Sequence, residues 1–116
     1  MRILLIKPAS VLLYTATLLL SSAAILANSG WTKHADIIEL IPTDKGRYLV
    51  RLNISENPSG CRNKNTFYQD YGTRGADNMY LALLEAVKAN KQVRVYVTGK
   101  CELNGYSEIS SVGIVP

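Results

Sequence analysis

From Pro8 to Ala27 the chain carries no charge, and this stretch limits what the rest can fold into and where. Arg2 and Lys7 precede it, leucines and isoleucines dominate its body, and the small residues Ala27 and Ser29 stand just ahead of Gly30. A basic start, an apolar body and small residues at a cleavage position read as an export signal over residues 1–29. A run of about 20 uncharged residues is also long enough to span a bilayer, so an N-terminal membrane anchor is the alternative. Ser10, Thr15, Thr17, Ser21 and Ser22 within the run, and no basic cluster soon after it, favour cleavage. Residues 30–116 are then expected to form a single secreted or periplasmic domain, touching a membrane only through an uncleaved signal segment.

Half of the net charge of +4 resides on Arg2 and Lys7. What is left is an ordinary surface, with no electrostatic case for nucleic acid. A domain this short has a modest core and gains from a covalent staple. Cys61 and Cys101 are the two cysteines. In an oxidising compartment one intramolecular disulfide is expected, an intermolecular one being the alternative. No CxxC spacing is present, and His34 is the lone histidine. A metal site needs more soft or imidazole ligands than this, so neither metal nor cofactor is expected.

After a leader at Trp31–His34, the β-branched run Asp36–Ile41 ends at Pro42, and Thr43-Asp44-Lys45-Gly46 is a turn signal. In Arg47–Ile54, Tyr48, Val50, Leu52 and Ile54 alternate with Leu49, Arg51 and Asn53, the pattern of a half-buried strand. The two runs are predicted to pair as an antiparallel hairpin. Ser55–Lys64 reads as a polar loop broken by Pro58 and Gly60, and Thr66–Tyr71 as a short third strand. Asp77 is the predicted N-cap of a helix over 78–89, in which Met79, Leu83 and Val87 recur every four residues and Asn90 ends the run. Gln92–Thr98 alternates valines with Arg94, Tyr96 and Thr98, and Asn104-Gly105 turns the chain into a last strand over 106–115. The fold class is therefore mainly β with one helix, in the order β-β-β-α-β-β.

That order is the one of a five-stranded oligonucleotide/oligosaccharide-binding (OB) barrel, closed or open, with one disulfide. Cys61 ahead of the helix, Met79-Tyr80-Leu81-Ala82-Leu83-Leu84 within it, and Lys91-Gln92-Val93-Arg94-Val95-Tyr96-Val97 running to Cys101 carry a resemblance over 36–115. The stretch resembles a set of small secreted bacterial OB-like proteins to which no activity is attached. More distantly, it resembles the B subunits of AB-type pentameric toxins, subtilase-like and pertussis-like. The toxin resemblance implies a barrel able to form a homo-oligomeric ring and to bind glycans on a side face. It transfers no binding residue.

No GxSxG, HExxH or phosphate-binding glycine loop is present, and His34 reads as an exposed leader residue rather than a general base. Asp70 and Asp77 flank Arg74, an arrangement that suits a local ion pair. The residues most suggestive of binding are Arg62, Lys64, Tyr68, Tyr71 and Arg74, because aromatic faces stack on sugar rings and cations hydrogen-bond to anionic groups. Against this, Phe67 and Tyr80 also suit a core, and Tyr68 and Tyr71 suit ordinary strand positions. Arg94, Tyr96 and Thr98 make a second candidate surface, for which a solvated sheet face is the simpler account. The leading functional expectation is a non-enzymatic binding module for a glycan or protein. The alternative is an inhibitor or immunity-type protein that blocks an enzyme through the 55–64 loop.

Overall fold

A computed structural model describes residues 28–116; the predicted signal lies outside them, apart from Asn28 and Ser29. The elements are β1 (Gly30–Trp31), β2 (Ile37–Pro42), β3 (Arg47–Leu52), β4 (Thr66–Asp70), helix α1 (Ala76–Ala89), β5 (Val93–Val97) and β6 (Ser107–Ile114). They form one six-stranded sheet in the order β1-β5-β6-β4-β3-β2. β4 and β6 run parallel, and every other neighbouring pair is antiparallel. Among the described residues no helix is long and apolar enough to cross a membrane.

The β2–β3 hairpin forms as the alternation requires, with Leu40 opposite Val50 and Pro42 opposite Tyr48. Pro42 ends β2 from inside the strand, which sits at the end of the sheet order where its missing N–H costs little. Tyr48, Val50 and Leu52 turn inward to meet Phe67 of β4, the valines of β5 and Ile109 of β6, all fully buried. α1 packs against β6 and β2 and closes this core with Ala76, Leu83 and Ala86.

The helix differs from its prediction in two ways. Its N-cap is Gly75 in the left-handed conformation, with no side-chain cap bond, and Asp77 sits inside the first turn. There its carboxylate still favours the positive end of the helix dipole. The buried stripe runs through Ala76, Leu83 and Ala86, leaving Met79 half-buried and Val87 45% exposed. Asn90 ends the helix in the left-handed conformation, its N–H reaching Ala86 and Val87 carbonyls, as predicted.

Two other boundaries move. β3 stops at Leu52: the Asn53 N–H still reaches the Asp36 carbonyl at 3.0 Å, but the Ile54 N–H turns back to the Leu52 carbonyl at 2.9 Å. The leader contributes a strand: Gly30 and Trp31 pair with Val97 and Tyr96, and Ala35 bridges Val93 through hydrogen bonds of 2.8 and 2.9 Å. The chain from Gly30 onward thus lies on β5 first and on β3 afterwards.

The parallel β4–β6 pairing spans only two residue pairs, Phe67 with Ser107 and Tyr68 with Glu108. Beyond it the buried Gln69 side chain takes over, its Nε2 donating to the Ile109 carbonyl at 2.6 Å and its Oε1 accepting from the Asp70 N–H at 2.7 Å. Cys61 and Cys101 are joined, with Cα atoms 5.5 Å apart. The bond ties the β3–β4 loop to the β5–β6 loop, and Ser59 and Ser107 hydroxyls meet beside it at 2.7 Å in a buried contact.

Tyr48 has an alkaline consequence. Its ring is fully buried and its hydroxyl donates to the Ala76 carbonyl at 3.3 Å. Burial, followed by Tyr71 and Asp77 nearby, pushes its phenol far above the ordinary 10.0. The folded state therefore holds a proton that the unfolded state gives up, so this contribution is intact below about pH 10 and is lost as pH rises above it. Unfolding free energy should fall by about 1.4 kcal/mol per pH unit for this one group across that window. Urea titrations between pH 8 and 12 should show the decline, and Tyr48→Phe should flatten it while lowering stability at neutral pH. An unchanged alkaline slope in the variant would remove Tyr48 as the cause.

Candidate functional site: a groove beside Trp31

The five residues singled out for binding fall in separate places. Tyr68 is on the outer face of β4 yet only 3% exposed, with the Arg47 guanidinium 5.6 Å from its ring centre. Burial raises its phenol pKa, Glu108, Glu102 and Asp70 add to this, and Arg47 opposes it. Tyr71 is half-buried and joins Tyr48 and Tyr80 in a cluster of rings with centres 5.3–6.2 Å apart. Its phenol is raised as well, by burial first and then by Tyr80 and Asp77. Arg62 and Lys64 are exposed on the β3–β4 loop, with the Arg62 side chain lying close over Gly105. Arg74 is exposed in the turn before α1. Asp70 pairs with Arg47 across the β3–β4 ladder at 3.0 Å rather than with Arg74.

A groove forms elsewhere, between the leader and the start of the β3–β4 loop. It has two adjoining hollows. One, of about 420 Å³, is lined by Lys33, His34, Asn53, Ile54, Ser55 and Glu56. The other, of about 300 Å³, is lined by Trp31, Thr32, Lys33, Glu56, Asn57 and Pro58. Lys33 and Glu56 belong to both, and their charged groups face each other at 3.9 Å with both side chains exposed. At that distance and exposure the pair holds the groove shut by little.

Both walls are tied down by hydrogen bonds to backbone groups. On the leader side, Thr32 exchanges bonds with β5: its N–H donates to the Val95 carbonyl at 2.9 Å, and its hydroxyl accepts from the Val95 N–H at 3.1 Å. On the loop side, Asn57 donates to the Lys64 carbonyl at 2.9 Å and accepts from the Ser59 N–H at 2.8 Å. Gly30 lets the walls meet, since a Cβ there would stand 3.3 Å from Pro58 Cγ.

Trp31, 40% exposed, stands at one end of this groove. Its ring meets the Tyr96 ring edge-on, with centres 5.5 Å apart, and Arg94 Cζ lies 4.3 Å from its centre. The second sequence-derived surface thus acquires an aromatic from the leader. Trp31 is the only tryptophan in the chain and stands outside every alternating run. That isolation was the available signal, and the leader's lack of periodicity hid it. His34 is exposed, as expected, and lines the larger hollow.

An indole beside amide, hydroxyl, carboxylate and ammonium groups can stack on a ring and hydrogen-bond around its edge. Among the described residues no three His, Cys, Asp or Glu side chains are grouped to hold a metal. No family model, curated protein or solved structure matches the chain.

Proposed function

We propose that this chain is a secreted or periplasmic, non-enzymatic binding module that takes a glycan in the groove beside Trp31. The exposed Trp31 at the end of a polar-walled groove carries the reading: it lines the smaller hollow together with Asn57, and the adjoining larger hollow is lined by Asn53 and Ser55, so an aromatic ring and polar groups follow one another along the groove, the combination a pyranose needs. The uncharged N-terminal stretch and the disulfide support the compartment. The parallel β4–β6 pair and the Ala35–Val93 bridge support an OB-like barrel in which the leader completes the wall. The toxin-like version of this reading adds self-association, measured by sizing the oxidised protein.

A glycan array probed with the oxidised protein tests the reading. Trp31→Ala should weaken the best binder about 30-fold, the effect of removing an aromatic anchor worth about 2 kcal/mol. Equal binding by wild type and variant would overturn the site. The inhibitor reading keeps one observation in its favour: the 55–64 loop is pre-ordered by Asn57, the Ser59–Ser107 contact and the disulfide. A protein silent on the array that recovers one envelope enzyme at equal stoichiometry would favour it.

A further inference from the structure

Arg94 and Gly113 are directly opposed in the β5–β6 ladder. Glycine inside a strand weakens it and often marks a close approach. Here a Cβ on Gly113 would stand 3.3 Å from Arg94 Cγ, 3.4 Å from its Nε and 3.8 Å from Trp31 Cζ3. The bare backbone at Gly113 is therefore what lets the Arg94 stem lie against the strand. Its guanidinium reaches 4.3 Å from the indole centre, while the Tyr96 edge braces the ring from its cross-strand position.

We propose that Arg94, seated over Gly113, is a positioning residue that covers one face of Trp31, fixes the ring as the platform of the groove, and sets its preference for neutral or anionic ligands over cationic ones. The inference rests on Trp31 being the platform in the glycan reading. A cation against one face already draws on the electron density of the indole. A second cation at the ring meets a weaker attraction together with direct repulsion from the guanidinium. Lys33 and Glu56, the other charged groups lining the Trp31 hollow, face each other at 3.9 Å and largely offset one another.

Because Trp31 is the only tryptophan, intrinsic fluorescence reads this site without any glycan. Iodide, caesium and acrylamide serve as anionic, cationic and neutral contact probes on the full-length oxidised protein. Wild type should be quenched more by iodide than by caesium. Arg94→Gln should lower that ratio by a factor of about two to five, the range an exposed cation–π contact represents, and should raise acrylamide quenching as the covered face opens. Arg94→Lys should keep the charge preference but still raise acrylamide quenching, because an ammonium does not stack as a plane. Gly113→Val should do the same by displacing Arg94. Arg94 is exposed, and unchanged far-ultraviolet dichroism will show that its variants fold. Identical acrylamide quenching in wild type and Arg94→Gln, or caesium quenching wild type as well as iodide does, would overturn the proposal. A silent glycan array with the quenching pattern as expected would overturn only the glycan reading.

Discussion

Replacing Cys61 and Cys101 together by alanine should lower the thermal midpoint by roughly 15–30 °C. The bond closes a loop of sequence separation 40, which the chain-entropy argument values at about 4 kcal/mol. A domain of this size has few other reserves, and each kcal/mol moves its midpoint by about 4–8 °C. The loss should also reach the groove. The loop carrying Asn53–Pro58 is anchored at its far side by Cys61, and the Cys61 N–H donates to the Ser59 hydroxyl at 3.1 Å beside the Ser59–Ser107 contact. With the disulfide gone, that wall keeps only its hydrogen bonds. Melting followed by circular dichroism, with wild type in the presence and absence of reductant, measures the effect. A shift of only a few degrees would mean that the hydrogen bonds already hold the two loops together.

Phe67→Ala should cost about 3–5 kcal/mol, a large part of the total stability of a small domain. Phe67 has no exposed surface, lies opposite Val50 on β3 and opposite Ser107 on β6, and sits where the sheet changes from antiparallel to parallel pairing. A neighbour that collapsed into the space would have to shift that junction. Phe67→Leu, which keeps most of the volume, should cost about 1–1.5 kcal/mol. Urea unfolding of the three proteins gives the comparison, and equal midpoints would show that the junction relaxes around the gap.

Phe67 also illustrates how the aromatic and basic stretch divides. In sequence, Arg62, Lys64, Phe67, Tyr68, Tyr71 and Tyr80 invite reading as one surface. In the fold, Phe67 enters the core, Tyr68 is covered on the opposite face, and Tyr71 and Tyr80 stack with Tyr48 beside the helix. Strand alternation separates Phe67 from Tyr68, but it does not say that both faces of β4 will be covered. The cover over Tyr68 comes from side chains on the neighbouring strands: Arg47 of β3 lies 5.6 Å from its ring centre, and Glu108 stands opposite it on β6, a segment about 40 residues further along the chain.

The strands with clear alternation, Tyr48-Val50-Leu52 and Val93-Val95-Val97, could be read locally because a period of two depends only on the residues themselves. The helix, its Asn90 terminus and the pairing of the two cysteines were legible for similarly local or compositional reasons. Two things were decided only by tertiary structure: that Trp31 leaves an unpatterned leader to stand on β5, and that the leader and the Asn53–Pro58 loop face each other. The leader and Ala35 after it are held there by backbone bonds to Val95 and Val93, about 60 positions further along. Backbone donors and acceptors carry no side-chain signature, so composition and periodicity cannot report which distant strand they will find.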